Sequence, residues 1–437
     1  MIRRRVTVTA LVCLSAALTV AAAHAREPGG TDKDAKGRKG PESRLGIVVL
    51  QFDDGTIGHY THAFRTLEKY KLKGSFGVVT GVLGRPGKLT VEQIVEMHRA
   101  GHEIHDHTLD HNAAFWGDPE KRAEWKEQTG QSLGILKKLG IETRGWNQPG
   151  GQGQNWTPEL RDTLAPYYDY VAGRVGLKPD EQCNMHWRLR DDPFCLGYGG
   201  VAGWDSRGGR PAAPEGVRRM QTQIADGLTQ GLVTIPLFHV IRDEDGSAWA
   251  LEELCRFIQA HDLPVMIMAD AVKAVQNPRK FFGANVEQMP NPDFARDIDG
   301  NNRPDGYSGC RYAPAEIKSP SGGRSPGAVR VAEFSGGATT WIYGPETGRT
   351  QLTLTARSAD GASRTIAPVL TFAEIGSRYE YRWRAKERCG SMTVGAEWKA
   401  ASFPVVVGPN VDRVKIEFEV APAGRVYVEK LGWQAVK

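Results

Sequence analysis

Asp53 and Asp54 stand side by side ahead of Gly55, and His107 and His111 are spaced i, i+4. Carboxylate oxygens and imidazole nitrogens are the donors that hold a divalent ion, with zinc the best match to this mixture. Neighbouring side chains on a strand point to opposite sides, so one aspartate can ligate while the other faces a water beside the ion. Histidines four residues apart share one face of a helical turn. Asp54, His107 and His111 are therefore expected to hold Zn2+ or another divalent metal. Three protein ligands leave room for water, which is the catalytic rather than the structural arrangement. Gly55 permits the sharp turn that must follow.

Each of these groups needs an element to position it. An apolar run over 45–52 predicts a strand ending at Asp53, and helical spacing follows at Tyr60, Phe64 and Leu67. A strand is expected over 74–80, a helix opened by Thr90 over 89–100, and a strand over 103–105 leading into His107. A long helix over 119–139 precedes a strand over 143–147 and the turn Gln148-Pro149-Gly150-Gly151. Then come a strand over 170–173, a helix over 216–228, a strand over 233–239 ending at His239, a helix over 248–261 and a strand over 264–268. Such alternation predicts an α/β fold with a parallel sheet closed into a (β/α) barrel. Barrels of this kind gather their chemistry at the C-terminal ends of the strands. Asp53-Asp54, His107, the 148–151 turn and His239 each follow a predicted strand directly, as one shared site requires.

With those residues in place, the stretch from Leu45 to His239 resembles the catalytic domain of polysaccharide deacetylases, carbohydrate esterase family 4. The resemblance rests on Phe52-Asp53-Asp54-Gly55, on Gly101-His102-Glu103-Ile104 running into His107-Thr108-Leu109-Asp110-His111, on Gly74-Ser75-Phe76, and on Leu237-Phe238-His239. It implies a distorted (β/α) barrel, with Asp53 as general base, Asp54, His107 and His111 as metal ligands, and His239 as general acid. It implies a secreted metal-dependent hydrolase that removes acetyl groups, N-acetyl favoured, from an extracellular polysaccharide. Gly150 would offer a backbone N–H to the oxyanion.

Two features depart from the family pattern. Its third motif commonly carries an arginine that orients the catalytic aspartate, and here the stretch reads Trp146-Asn147-Gln148-Pro149-Gly150-Gly151. Asn147 or Gln148 is expected to hydrogen-bond Asp53 in its place. The fourth motif is not evident, and Trp204 or Trp187 is expected to supply the aromatic wall. The missing arginine motivates a rival reading, a catalytically weakened carbohydrate-binding protein on the same barrel. A small-molecule C–N amidase is a further alternative, and the attached β-rich region argues against it.

From about Pro290 the texture becomes rich in Pro, Gly and Asn. Short alternating strands follow over 329–334, 351–356, 379–383, 413–420 and 425–431. This predicts an all-β, jelly-roll-like sandwich resembling carbohydrate-binding modules. Asp297, Asp299, Asn301 and Asp305 alternate as oxygen donors on a Gly-containing loop, so a Ca2+ site is expected there. Trp341, Trp383, Trp398 and Trp433 alternate with polar residues, and core packing is the default for each.

The 437-residue chain exceeds what one core usually serves. The expected division is a signal peptide over 1–25, a disordered linker over 26–44, the barrel over 45–285 and the sandwich over 290–437. Arg3, Arg4 and Arg5 precede an apolar run that ends at Ala23-His24-Ala25, the pattern of a cleaved export signal. A secreted or periplasmic location with no integral membrane span after cleavage is expected. With 56 Lys+Arg against 51 Asp+Glu and no dense basic block, nucleic acid is not an expected partner. In an oxidising compartment Cys183 could close a short loop with Cys195 and Cys310 could staple the C-terminal domain with Cys389, leaving Cys255 as a buried thiol; the sequence does not fix the connectivity.

Overall fold

The computed structural model describes residues 46–116, 118–149, 158–172, 186–187, 199–200, 212–276, 291, 293–314, 317, 330–343, 345–375 and 381–436. In the first part the strands are β1 (Ile47–Val48), β2 (Leu50–Phe52), β3 (Gly74–Val78), β4 (Glu103–Asp106), β5 (Gly145–Asn147), β6 (Tyr170–Ala172), β7 (His186–Trp187), β8 (Gly199–Gly200), β9 (Val233–Thr234) and β10 (Pro236–Phe238). Seven of them form one sheet in the order β6-β5-β4-β3-β2-β10-β8, and every pairing in it is parallel. β1 and β9 pair in parallel just before β2 and β10, with β7 antiparallel beyond them. The first part is thus a curled parallel sheet of the half-barrel kind.

Register explains why the polar residues meet. Phe52 pairs with Phe76 on one side and Phe238 on the other, and Val78 pairs with Asp106. The rings of Phe52, Phe76 and Phe238 stack, at centroid distances of 4.6 and 5.1 Å from Phe52. Strands locked at these positions end at one edge, so residues 53, 107 and 239 leave the sheet together. Helices cover the sheet. Val91–Arg99 is opened by a capping box between Thr90 and Gln93 and buries Ile94 and Met97. Pro214–Thr229 and Ser247–Ala260 bury Met220, Ile224, Leu251 and Leu254 against the same core.

The expected strand over 264–268 reduces to one bridge, between Val265 and Val48. The helix Met268–Gln276 starts instead, because Ser75 Oγ accepts from Met268 N–H and Glu103 Oε2 from Ala269 N–H. A buried carboxylate at a helix N-terminus satisfies donors that have no partner within the helix.

The second part contains β11 (Tyr307–Tyr312), β12 (Ala332–Tyr343), β13 (Gly348–Ser358), β14 (Arg364–Ile375), β15 (Tyr381–Trp383), β16 (Glu387–Arg388), β17 (Met392–Val394), β18 (Lys399–Val407), β19 (Val411–Ala421) and β20 (Val426–Ala435). All its pairings are antiparallel. β12 makes the corner. Residues 332–334 pair with β20 and residues 338–343 with β19, and Gly336 and Gly337 between them take φ of +91° and +72°. A strand that changes partner at such a bend joins two layers of a sandwich. Phe334, Leu352, Phe372, Phe418 and Trp433 fill the space between. The sequence pattern missed β11, β14, β16, β17 and β18; β14 is buried along most of its length and β18 exposes Ala400, Pro404 and Val406, so neither of these two alternates apolar with polar residues.

Cys255 is a buried free thiol as expected. Cys310 and Cys389 are also free, against the expected staple. Cys310 lies on β11 and Cys389 follows β16, with β14, β19 and β12 between those two strands in the hydrogen-bonded order. Cys183 and Cys195 lie outside the described residues. Trp433 is core, but Trp341, Trp383 and Trp398 are half-buried, so the core default fails for those three. Among the described residues no helix is long and apolar enough to cross a membrane.

Candidate metal centre and its supports

Asp54 Oδ1 lies 3.3 Å from His107 Nε2 and 3.1 Å from His111 Nε2. One ligand atom from each of the three residues falls within 4.8 Å of the others. The convergence expected from sequence is present, but the local geometry that makes it differs. Residues 107–112 form a loop rather than a helical turn. Asp54, Thr108 and His111 take left-handed φ values of 79°, 71° and 59°, and Gly55 follows at 56°. Asp53 and Asp54 are therefore separated by a left-handed turn, not by strand alternation. Strained backbone of this kind persists where surrounding bonds over-determine it.

Those bonds can be named. Asp106, fully buried, accepts from Thr108 N–H at 2.8 Å, Ser132 Oγ at 2.8 Å and Tyr168 Oη at 2.6 Å. Thr108 Oγ1 accepts from His111 N–H, and the Thr108 and Leu109 carbonyls accept from Thr80 and Gly81. On the other side, Lys88 Nζ donates to the Asp54 carbonyl at 2.9 Å.

His107 Nδ1 donates to the Asn147 carbonyl at 3.1 Å, and this bond turns Nε2 toward Asp54 Oδ1. Ligating histidines are generally oriented by such a second bond. Burial works against the Asp54 charge, but hydrogen bonds from His107 and His111 outweigh it and hold the carboxyl well below its usual range. Burial disfavours the His107 cation, and the nearby Asp53 and Asp54 charges reverse that and raise its pKa. A carboxylate held ionised beside two imidazoles is a donor set that fits a divalent metal.

Asp53, 2% exposed, accepts two hydrogen bonds at Oδ1, from Asn147 Nδ2 and from Gln51 Nε2, each 2.6 Å. Of the two residues expected to bond Asp53, Asn147 does so. Gln148 is buried and its backbone N–H bonds Ala172. Gly150 and Trp204 lie outside the described residues, as does the Trp187 side chain. His239 follows β10, and its carbonyl accepts from Thr56 Oγ1 at 3.1 Å and His59 Nε2 at 2.8 Å. Burial pushes His59 down to about 4, so this donor is a neutral imidazole.

Sequence reasoning did not single out Gln51, His59, Asp106, Tyr168 or Tyr170. His105 belonged to a visible histidine run, yet it is wholly buried and burial pushes it down to about 3, unlike its neighbour His107. The only signal for Gln51 was a polar residue inside an apolar strand.

In the second part Asp297, Asp299 and Asp305 bring one carboxylate oxygen each within 4.8 Å of the others. Asn301 lies beside them: its Nδ2 donates to Asp299 Oδ2 at 2.8 Å, and its Oδ1 accepts from Arg303 N–H at 2.9 Å. The loop also meets the helix Pro214–Thr229, where Asp226 binds Arg303 at 2.8 Å and Gly306 N–H at 2.7 Å.

At the strand ends of a parallel sheet, a carboxylate and two imidazoles converge beside a buried second carboxylate, a donor set that could hold a metal ion. Residues 41–165 match the model of the polysaccharide deacetylase family. A 64-residue segment is 38% identical to YxkH of Bacillus subtilis (strain 168), whose name places it among polysaccharide deacetylases. That segment is 15% of this chain and 23% of the relative. IcaB from Ammonifex degensii is 29% identical over 30% of this chain and 68% of its own, with a TM-score of 0.27. The Streptococcus pyogenes deacetylase PplD, solved with acetate, is 27% identical over 30% of this chain and 57% of its own, also at 0.27.

Proposed function

We propose that this chain is a metal-dependent hydrolase that removes acetyl groups, N-acetyl favoured, from an extracellular polysaccharide. The observation that carries the reading is the convergence of Asp54, His107 and His111 beside the doubly hydrogen-bonded Asp53, within a polysaccharide deacetylase domain. Asp54, His107 and His111 would hold the ion, with Zn2+ favoured by the nitrogen-rich donor set. When bound, such an ion polarises an acetyl carbonyl and makes water more acidic. Asp53 takes the proton from the attacking water as its oxygen adds to the carbonyl carbon. His239, anchored by His59 and Thr56, gives a proton to the departing amine as the C–N bond breaks. Acetate and a free amine result. An ester substrate would need less help from His239, since an alkoxide leaves more readily than an amide nitrogen.

Acetate release from N-acetylated and O-acetylated glycans tests the reading, using chain stripped with a chelator and then given zinc. Zinc-dependent release is expected. A zinc-loaded chain silent on the whole panel would instead favour the carbohydrate-binding alternative. The sandwich is proposed as an accessory glycan-binding module, supported by the half-buried Trp341–Trp383 pair, whose ring centroids are 5.8 Å apart. Trp341→Ala should weaken retention on the glycan substrate without changing turnover of a short soluble one.

Export through the N-terminal signal is proposed, and N-terminal sequencing of protein recovered outside the cytoplasm should begin at Arg26. Calcium at Asp297, Asp299 and Asp305 is proposed because Asp297 Oδ1 is buried with no hydrogen-bond partner among the described residues. Added calcium should raise Tm, and no shift at millimolar calcium would end that reading.

A further inference from the structure

Behind Asp53 the fold buries a line of polar side chains that runs across the sheet, away from the candidate metal ligands. Gln51 Nε2 donates to Asp53 Oδ1 at 2.6 Å and lies 2.7 Å from His105 Nε2. His105 Nδ1 is 2.9 Å from Tyr170 Oη, and that hydroxyl donates to Glu103 Oε1 at 2.7 Å. Glu103 Oε2 also accepts from Ser75 Oγ at 2.8 Å and from Ala269 N–H at 3.1 Å. Gln51, His105 and Tyr170 are completely shielded from solvent.

Counting donors leaves one arrangement of protons. A carboxylate only accepts, so Gln51 presents its amide nitrogen to Asp53 and not its oxygen. The second hydrogen on that nitrogen points to His105 Nε2, which must then be the bare nitrogen. A neutral imidazole has one N–H, so His105 carries it on Nδ1 and donates to Tyr170 Oη. The Tyr170 hydrogen is left for Glu103. Reversing the Gln51 amide would set two oxygens 2.6 Å apart in a site without solvent.

The neighbouring backbone makes room for this line. A Cβ on Gly77 would lie 3.0 Å from Asp53 Oδ1, 3.1 Å from His105 Nε2 and 3.3 Å from Asn147 Nδ2. A Cβ on Gly145 would fall 1.9 Å from the Tyr170 ring. Two glycines on β3 and β5 leave the volumes in which these groups sit.

We propose that Gln51 is a positioning residue for Asp53, fixed in turn by a neutral His105 that Tyr170 and Glu103 hold as the Nδ1–H tautomer. The chain performs with neutral groups the orienting task for which an arginine is absent here. The kinetic part rests on the reading of Asp53 as the base, whereas the tautomer does not.

Imidazole 15N NMR of the metal-free full-length chain tests the tautomer, with His105→Gln used for assignment. The His105 signal should show a protonated Nδ1 and a bare Nε2, the minor form of free histidine. In Tyr170→Phe that form should lose its dominance. Finding Nε2 protonated in the unsubstituted chain overturns the proposal whatever the activity.

The kinetic arm uses the zinc-loaded chain. Gln51→Met should lower kcat by about 10- to 100-fold, the scale of a misplaced reacting group, with KM and zinc affinity changed less than about twofold. His105→Leu should behave similarly. His105→Gln, which offers an acceptor and a donor, should recover most of the loss. Should Gln51→Met not fold, Tyr170→Phe serves in its place, with a several-fold lower kcat and unchanged KM. A variant that loses Tm but keeps kcat shows packing alone and refutes the positioning role. If the unsubstituted chain releases no acetate, the deacetylase reading fails, and the NMR result still decides the hydrogen-bond line.

Discussion

Asn147 Nδ2 donates a 2.6 Å hydrogen bond to Asp53 Oδ1. The carbonyl of the same residue accepts from His107 Nδ1 at 3.1 Å, so one asparagine at the end of β5 aligns the proposed base with a candidate metal ligand. A side-chain change removes the first contact and leaves the second. Asn147→Leu should therefore lower kcat by about 10- to 100-fold while zinc affinity, measured by calorimetry, stays near that of the unsubstituted chain. Equal losses of zinc affinity and turnover would contradict this division of labour.

Removing a candidate ligand should give the opposite pattern. In His111→Ala the Asp54 and His107 pair remains, but the third donor is gone. Zinc at about 100 times its Kd adds about 2.7 kcal/mol to the unsubstituted chain, visible as a rise in Tm. That rise should shrink sharply in the variant, with the metal-free Tm nearly unchanged because His111 is partly exposed. An unchanged zinc-induced rise would remove His111 from the ligand set.

Gly77→Ala tests the packing of the polar line without touching its donors. The new methyl would meet Asp53, His105 and Asn147 at 3.0 to 3.3 Å, tighter than ordinary contact. Turnover should drop by about tenfold or more, since a shift of about 1 Å at a reacting group has that effect. The measurement is kcat on the best substrate, and a fully active Gly77→Ala chain would show that the line can move freely.

Stability against pH isolates Asp305. Burial raises its carboxyl from the ordinary 3.8 to about 8 in the folded chain. The folded state therefore holds this proton more tightly than the unfolded state. The resulting stability is full below pH 3.8 and is lost as pH rises toward about 8. In metal-free buffer the Tm of Asp305→Asn should fall less across that interval than the Tm of the unsubstituted chain. Parallel Tm–pH curves for the two proteins would exclude the assignment.

Much of this site was legible in the primary structure. Asp53-Asp54, the His107 and His111 spacing and His239 at strand ends pointed to the metal-dependent hydrolase proposed above, because donor types and strand endings are local properties of a sequence. That Asn147 or Gln148 would bond Asp53 came from the family resemblance, and the fold selects Asn147. The Met268 helix start and the free state of Cys310 and Cys389 were not legible, since both depend on which elements become neighbours.

The amino-acid order by itself determined most sheet-forming runs of the first part, the types of candidate ligand and the edge at which they emerge. Tertiary structure alone decided how they meet. Left-handed turns at Asp54, Thr108 and His111, pinned by Asp106 from beneath, replace the helical turn that spacing suggested. Gln51, His105, Tyr170 and Glu103 come from three separate strands, and only parallel register brings them into hydrogen-bonding range. The physical reason is that a buried polar group must find its partner wherever the fold places one, and sequence distance carries no record of that choice.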